Sequence, residues 1–347
     1  MTGDYGLAVA MTDVFQLIEQ MQKGDTLSLS RLISLAEIDD HSLPLIIGAV
    51  HKRLGNAQII GITGPAGAGK STILDKLTVY LRQKGHTVGI ICADPSSPFS
   101  GGAILGDRIR MQQHYLDSGV YIRSMSTRDN QGGIPRAATH VIKLMDASGR
   151  DFILVETVGV GQTELDIMKY TDTTIVVLTP ESGDTIQTMK AGLLEIADIF
   201  AVNKADRPGA DNLISELNVM LGLRSHDNSW RVPVIAVEAI HNVGIQELLA
   251  QIISHQVISK ETGLFQKRRI EQRRREFITI LENRLNKELR KYLQEVDDLD
   301  CYLSSVDNGE VAPFDAVDKI LHSGKLLEQL AERLHPGHCK VANEQVQ

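Results

Sequence analysis

The sequence predicts an α/β fold with a mostly parallel sheet flanked by helices, plus helical segments before and after it. Short apolar runs alternate with amphipathic, glycine-punctuated stretches from Ala57 to Val237. This pattern is typical of parallel strands that are covered on both faces. Outside that region, apolar residues recur at three- and four-residue steps, which indicates helices. We therefore predict an N-terminal helical extension (1–55), a core domain (56–257) and a C-terminal helical region (258–347).

Six apolar runs are the predicted strands, and each is bounded by glycine or polar residues. They are Ile59–Ile62, Val88–Cys92, Phe152–Val155, Thr174–Leu178, Ile199–Val202 and Val234–Val237. The first run is followed by an amphipathic helix over Thr72–Gln83. In the extension, the periodic segments Val14–Met21 and Leu29–Ile38 predict a helical layer.

Composition excludes several classes of protein. Of 347 residues, 42% are hydrophobic and 23% are charged, as in ordinary globular domains. A net charge of -8 disfavours a nucleic-acid partner, because the surface would repel phosphate. No apolar run reaches the length of a membrane span and no signal peptide is recognisable, so we expect a cytoplasmic protein. The cysteines Cys92, Cys301 and Cys339 are too far apart for a Cys-x-x-Cys pair and are predicted to be reduced thiols.

A phosphate-binding loop follows the first predicted strand. It fits the pattern G-x-x-x-x-G-K-[ST] and opens the next helix, as the mechanism of this motif requires. Its glycines let successive backbone N–H groups point at phosphate oxygens, and the helix dipole reinforces them. Lys70 is expected to reach the β- and γ-phosphates and Ser71 to bind Mg²⁺. The predicted nucleotide contacts are Gly64, Pro65, Ala66, Gly67, Ala68, Gly69, Lys70, Ser71 and Thr72. A P-loop NTPase is therefore predicted.

The segment from Asn203 to Asp206 follows the fifth predicted strand. Open α/β sheets bind ligands at this carboxyl edge. The Asp206 carboxylate can accept two hydrogen bonds from guanine, whereas adenine would leave it unpaired. Asn203 is expected to brace the phosphate loop, and the stem of Lys204 to lie along the base. GTP and GDP are therefore the predicted ligands, in preference to ATP.

Three carboxylates are candidates for the magnesium end of the site. Glu156 ends the third predicted strand, Asp94 follows the second, and Asp107 lies in the glycine-rich segment 100–110. Mg²⁺ keeps several waters in most sites, so these side chains are expected to act mostly through water. Together with Lys70 they form the predicted catalytic set. A turn role for Asp94, which precedes proline, remains an alternative.

No residue can be chosen from sequence as the one that completes hydrolysis. The arginine candidates for neutralising transition-state charge are Arg108, Arg110, Arg123 and Arg128, and Gln162 is a candidate for orienting water. Basal turnover is expected to be slow, with a partner completing the site. His86, His114 and His140 are predicted to have no special role.

Several segments together resemble the MeaB/ArgK family of GTPases. They run from about Leu29 to Ala316, and the block from Ala93 to Met111 is the most specific. The segments are Asp94–Pro98, Gly101–Met111, Glu156–Gln162, Gly183–Asp184 with Gln187 and Lys190, and Ala191–Asp198 leading into Asn203–Asp206.

The resemblance implies a GTPase core with an N-terminal helical extension and a C-terminal helical dimerisation arm. It implies a homodimer that acts as a chaperone for an adenosylcobalamin-dependent acyl-CoA mutase, usually methylmalonyl-CoA mutase, by gating cofactor loading and protecting the enzyme. By that likeness Asp94, Asp107 and Glu156 surround magnesium with Ser71. Residues 183–190 would form an extra switch loop that contacts the mutase.

This sequence departs from the family pattern at three places. Asp129–Gln131 stands where a glycine-led segment is usual, and Glu181–Ser182 replaces a small Gly-Ala pair. Glu238 and Ala239 stand where many members have Ser-Ala covering the guanine. We expect a backbone N–H of Glu238–Ala239 to do that work, so guanine specificity need not be lost.

Two further functions remain as alternatives. His335, His338 and Cys339 could supply metal ligands, which would suit a GTP-dependent metallochaperone. A small-molecule kinase could use the same phosphate loop, although no substrate pocket is identifiable.

The basic amphipathic stretch Lys267–Tyr292 could lie on a membrane, but we predict that its apolar stripe packs on a second copy of the chain.

Overall fold

The computed structural model describes residues 11–38, 41–94, 111–126, 137–158, 162–182, 192, 194–223, 230–295, 298–322 and 328. The chain divides into two compact units, the first ending at Arg269 and the second beginning at Ile270.

Helices and strands alternate through the first unit, and helices follow in the second. In chain order they are α1 Met11–Gln22, α2 Thr26–Glu37, α3 Leu43–Val50, β1 Gln58–Thr63, α4 Lys70–Gln83, β2 Val88–Asp94, β3 Val120–Ser126, α5 Ala138–Ala147, β4 Phe152–Glu156, β5 Thr173–Leu178, β6 Ile199–Asn203, α6 Ala210–Gly222, β7 Val234–Val237, α7 Ile245–Glu261, α8 Leu264–Glu295, α9 Asp298–Asp307 and α10 Pro313–His322.

The strands form one seven-stranded parallel sheet in the order β3-β2-β4-β1-β5-β6-β7. The central strand β1 lies between β4 and β5, and Ile62 is in register with Glu156. The chain builds the sheet outward on both sides of β1, which creates a crevice at the carboxyl ends of these strands. The P-loop NTPase fold class is thus confirmed.

Each face of the sheet buries its own apolar layer, because successive strand residues point to opposite sides. On one face, Ile59, Val155 and Val176 pack with α2, α5 and α6. On the other, Ile60 and Val177 pack with α4 and α7. Two covered faces explain why the central strands are continuous apolar runs.

The six predicted strands are all present, and β3 is a seventh that the sequence did not indicate. It lies at the edge of the sheet and is only half-buried over Tyr121–Ser124. Its sequence carries Arg123 and two serines among the apolar residues, so it is neither a continuous apolar run nor a strict alternation. An edge strand tolerates this because it has one neighbour only.

The N-terminal helices pack on the same face as α5. The Asp25 carboxylate caps α2 by accepting from the Ser28 backbone N–H at 2.9 Å. The Asp146 carboxylate, on α5, accepts from the backbone N–H of Ala57 at 2.8 Å and so fixes the entry to β1. Arg123 of β3 donates through Nε to Glu37 of α2 at 2.8 Å. The helical extension is therefore part of the first unit.

The second unit contains most of α8 together with α9 and α10. Along α8, Phe277, Leu281 and Leu285 are 68%, 47% and 40% exposed, so the stripe is uncovered in the single chain. Within the described segments, no helix combines the length and the apolar character needed to cross a membrane.

Candidate functional site

The loop between β1 and α4 crosses the carboxyl edge of the sheet. It turns sharply because Gly64, Gly67 and Gly69 have φ of +137°, +75° and +89°, a region that side chains rarely adopt. A Cβ on Gly64 would lie 2.0 Å from the Val177 carbonyl oxygen of β5. Pro65 and Ala66 form the outer part of this loop, and Ala68 returns to the core with 1% exposure. The loop therefore packs closely against β5 at Gly64 and is exposed to solvent at Ala66 and Gly67.

Lys70 is the first residue of α4 and is buried. Its Nζ donates to the carbonyl oxygens of Gly64 at 2.8 Å and Pro65 at 3.1 Å. The ammonium is thus held across the loop whose backbone N–H groups the sequence predicts to bind phosphate. A cation in that position suits the β- and γ-phosphates, and this role of Lys70 stays a prediction. Thr72, the third residue of α4, is partly buried in the first turn of the helix.

Ser71 and Glu156 meet at the base of the loop. The Ser71 hydroxyl donates to Glu156 Oε1 at 2.7 Å, and the two residues are only 6% and 5% exposed. Next to them, the hydroxyls of Thr63 and Thr157 are 3.0 Å apart. These two contacts join the carboxyl ends of β1 and β4 to each other and to the first turn of α4. A hydroxyl beside a carboxylate is a hard-oxygen donor set, which suits Mg²⁺.

Asp94 and Asp107 are the other two carboxylates predicted to surround magnesium, and the structure does not describe their side chains. Asp94 ends β2 and pairs in register with Ser126 of β3, so its backbone lies at the same edge of the sheet as Glu156. The Asp94 side chain and all of Asp107 lie outside the described residues, as does the segment 183–190. Their roles therefore stay predictions.

Asn203 connects the phosphate loop to the segment after β7. The side chain is 4% exposed, and its Nδ2 donates to the Ala68 carbonyl oxygen at 2.8 Å. Its Oδ1 accepts from the Ala239 backbone N–H at 3.1 Å. A Cβ on Gly69 would lie 2.2 Å from this Nδ2. Asn203 thus contacts the phosphate loop that it is predicted to brace, and the second hydrogen bond was not foreseen.

Lys204 and Asp206 follow Asn203 at the edge of the sheet. Lys204 has a left-handed backbone with φ of 57°, which turns the chain directly after β6. The next N–H, of Ala205, donates to the Val237 carbonyl oxygen at 3.1 Å and fixes the turn against β7. Asp206 is exposed, so its carboxylate is open to a ligand at this edge.

The backbone N–H groups of Glu238 and Ala239, which the sequence predicts to cover the guanine, both donate within the protein, and their role toward guanine stays a prediction. Glu238 donates to the Val243 carbonyl oxygen at 3.1 Å, and Ala239 donates to Asn203. Both donors are used inside the protein. The physical reason is that the segment folds back on itself through the isolated bridge Glu238–Val243 while Asn203 holds its next residue.

The structure also decides among some weaker candidates. Arg123 donates to Glu37 and Ser34 on α2, so its guanidinium is engaged with the helical extension. Of the other arginine candidates, 108, 110 and 128 lie outside the described residues, as do the Gln162 side chain and the cluster 335–339. In the described part of the chain, no group of three or more His, Cys, Asp or Glu side chains could hold a metal.

His114 is predicted to have no special role, and the structure shows it in a buried contact with Asp75. Its ring Nε2 lies 3.0 Å from Asp75 Oδ1, and both side chains are buried. Burial alone would raise the pKa of the Asp75 carboxyl, but hydrogen bonds from His114 and Gln113 outweigh it and hold the pKa below its ordinary value. No motif marks this pair, and only the long-range fold brings it together.

Comparison with known proteins gives a family match over most of the chain. The profile of the family described as methylmalonyl-CoA mutase-associated GTPase MeaB matches residues 29–294. A predicted GTPase of Pyrococcus horikoshii is 45% identical over 314 residues, which cover 90% of this chain and 98% of that protein. The GTPase ArgK of Escherichia coli strain K12 is 31% identical over 312 residues, covering 85% and 92%.

Two further similarities are more limited. The mouse protein named methylmalonic aciduria type A homolog, mitochondrial, is 36% identical over 193 residues, covering 54% of this chain and 46% of that protein. A crystal structure described as LAO/AO transport system kinase has a TM-score of 0.65 at 24% identity and covers 94% of this chain and 99% of its own. At that identity the likeness supports the fold alone.

The phosphate loop, the Asn203 brace and the match over 29–294 agree. The chain is therefore a GTPase that binds guanine nucleotide, and it belongs to the MeaB family.

Proposed function

We propose that this chain is a magnesium-dependent GTPase chaperone that gates adenosylcobalamin loading into an acyl-CoA mutase and protects that enzyme. Methylmalonyl-CoA mutase is the first candidate client. The observation that carries the proposal is the match to the mutase-associated GTPase family over residues 29–294. The name of the mouse relative, which refers to methylmalonic aciduria, points to the same metabolism.

At the phosphate end of the site, we assign Lys70 to the β- and γ-phosphates and the loop N–H groups to the remaining phosphate oxygens. Ser71 and Glu156 would hold Mg²⁺, with Asp94 and Asp107 completing the set mostly through water. When bound, Mg²⁺ offsets the negative charge of the phosphates. The protein's own contribution is to hold the Ser71 hydroxyl and the Glu156 carboxylate 2.7 Å apart in a buried position.

At the base end, Asp206 would accept the two guanine hydrogen bonds and the Lys204 stem would lie along the ring. Asn203 holds this segment to the loop through Ala68. We assign the guanine cover to the segment Glu238–Ala239, which Asn203 holds beside the phosphate loop through the Ala239 N–H.

Hydrolysis is proposed to depend on the client. Arg123 is held by Glu37 and Ser34 and is not assigned to the transferring phosphate. We therefore expect slow turnover by the chain alone and propose that contact with the mutase completes the site.

Complex formation with the client tests the proposal. Purified chain and methylmalonyl-CoA mutase would be passed together through a gel-filtration column with Mg²⁺ and GTP, GDP or no nucleotide. We expect co-elution that differs between the three conditions, and loss of that difference in Asp206→Asn. Absence of a complex in every condition would contradict the mutase as client.

We further propose that the apolar stripe of α8 forms a homodimer. Phe277 is 68% exposed on this helix, and a second copy would cover it. Light scattering on Phe277→Glu should show a monomer, whereas Val219→Glu, at a 65% exposed apolar position of α6, should remain dimeric. A monomeric wild-type chain would contradict the dimer.

The metallochaperone and the small-molecule kinase remain less supported. Metal retained in stoichiometric amount through gel filtration would favour the first. Phosphorylation of free arginine by the chain would favour the second.

A further inference from the structure

The residue predicted to recognise guanine, Asp206, lies in a closed turn between β6 and α6. Lys204 begins this turn with a left-handed backbone, φ 57°. The Arg207 N–H donates to the Lys204 carbonyl oxygen at 3.0 Å, so the four residues close on themselves with Asp206 in the third position. The contacts made by the residues on either side of Asp206 therefore determine where its carboxylate is held.

Those two residues are attached to opposite neighbours of β6, which lies between β5 and β7 in the sheet. On the β7 side, the Ala205 N–H donates to the Val237 carbonyl oxygen at 3.1 Å. On the β5 side, Arg207 donates through Nη1 to Glu181 Oε1, in the short segment that follows β5. The turn that carries Asp206 is thus held from both sides.

A second approach brings the same two segments together on the β5 side. A Cβ on Gly209, two residues after Arg207, would lie 3.8 Å from the Cβ of Pro180, the residue before Glu181. That distance is an ordinary van der Waals contact. The two backbones are therefore neighbours, and the ion pair does not depend on two long side chains that meet across solvent.

The charges in the turn favour the contact between Arg207 and Glu181. The hydrogen bond from Arg207 lowers the pKa of the Glu181 carboxyl to about 2, so both partners are ionised at neutral pH. The same hydrogen bond is the main cause that raises the pKa of Arg207, and the charge of Asp206 contributes least. A guanidinium engaged with Glu181 leaves the exposed Asp206 carboxylate to a ligand.

We propose that Glu181 and Arg207 are positioning residues for guanine recognition, which hold the turn on the β5 side and keep the Asp206 carboxylate aligned with the exocyclic amine of guanine. The inference rests on the proposed assignment of Asp206 to guanine. Neither Glu181 nor Arg207 is assigned a contact with the nucleotide. The Arg207 and Glu181 side chains are 50% and 49% exposed, and exposed ion pairs contribute little to stability, so substitutions should leave the fold intact.

Equilibrium binding of GDP and of inosine diphosphate, by calorimetric titration, measures this alignment without relying on turnover. Inosine diphosphate lacks only the exocyclic amine, so we define the guanine preference as its dissociation constant divided by that of GDP. The wild-type preference should be about tenfold or more, the loss expected for a hydrogen bond to a charged group.

Removal of either partner should lower the guanine preference. Glu181→Gln and Arg207→Gln should each reduce it about threefold, within the range that an exposed ion pair contributes. The double variant should lose no more than either single variant, because the two residues act as one unit.

Two controls separate positioning from a general effect of lost charge. Arg207→Lys retains a cation that can pair with Glu181 and should keep the wild-type guanine preference. Glu19→Gln removes another exposed ion pair, with Lys23 on α1, and should also keep it. Thermal unfolding midpoints confirm that every variant is folded, and a purely structural role would change the midpoint without changing the preference.

A wild-type guanine preference in both Glu181→Gln and Arg207→Gln would overturn the inference alone, as would an equal loss in Glu19→Gln. A loss in only one of the two variants would also overturn it, because the residues would then not act as a pair. A wild-type protein that binds GDP and inosine diphosphate equally would overturn both the inference and the assignment of Asp206 to the guanine amine.

Discussion

Asn203 shows how one side chain can join segments that are far apart in the sequence. Its amide nitrogen holds the phosphate loop through Ala68 and its amide oxygen holds the segment after β7 through Ala239. Motif spacing identifies Asn203 and Asp206 as candidate site residues, because the strand ends of a parallel sheet share one edge. It does not identify the Ala239 bond or the Asp75–His114 pair, which depend on how distant segments pack.

Gly69→Ala tests the contact between loop and brace. Both Gly69 and Gly85 have positive φ, +89° and +86°, so alanine strains the backbone at either position. Only at position 69 would the new Cβ meet Asn203 Nδ2, at 2.2 Å, while nothing lies within 4 Å at position 85. Calorimetric titration should show GDP affinity reduced about tenfold or more in Gly69→Ala. Gly85→Ala should bind normally, and equal affinities in the two variants would contradict the role of Asn203.

At the scale of elements, the sheet is anchored to α8 at the edge opposite the site. Asp172, which precedes β5, accepts from the Ile59 backbone N–H at 2.8 Å and from Arg269 Nε at 2.5 Å. Asp198, which precedes β6, accepts two hydrogen bonds from Arg268, at 2.8 and 3.0 Å. Both carboxylates are buried. The apolar runs predict the strands themselves, but these polar anchors between distant segments leave no periodic signal.

Arg269→Met should destabilise the first unit. The change leaves the buried Asp172 carboxylate without its charged partner, which typically costs about 3–5 kcal/mol. The Arg269 and Asp172 side chains are 13% and 3% exposed, so solvent cannot replace the pair. Chemical denaturation gives the free energy of unfolding. Arg273→Met, at an exposed position of the same helix, is the control and should change it little. Equal effects of the two substitutions would refute the anchor.

At the scale of the whole molecule, helix α7 packs against β5 in the first unit, and His255 is the polar contact between them. Its Nδ1 lies 2.9 Å from the Thr173 hydroxyl, and its ring meets Trp230 edge-on at 4.9 Å. His255 Nε2 is also 3.4 Å from Asp198, a distance that would allow an ion pair. Burial nevertheless lowers the pKa of His255 and Arg268 already neutralises Asp198, so the neutral imidazole is the stable form.

This burial predicts a stability that falls in mild acid. The unfolded chain binds the His255 proton near pH 6.5, whereas the folded protein binds it only at lower pH. Between those two pKa values the unfolded state holds more protons, so the free energy of unfolding decreases as the pH falls. Urea denaturation from pH 7.5 to 5 should show a shallower decline in His255→Gln than in wild type. His51→Gln, at an exposed histidine, is the control, and identical slopes in all three proteins would contradict the effect.

We propose that this sheet edge binds GTP and that a mutase responds to the bound nucleotide. Hydrolysis of GTP and ATP by the purified chain, alone and with methylmalonyl-CoA mutase, tests both parts of this proposal, with Asp206→Asn alongside. We expect slow turnover that is selective for GTP, is accelerated by the mutase and is no longer selective in the variant. Equal turnover of GTP and ATP by the wild-type protein would contradict the assignment of Asp206, and turnover that the mutase leaves unchanged would contradict the proposed client.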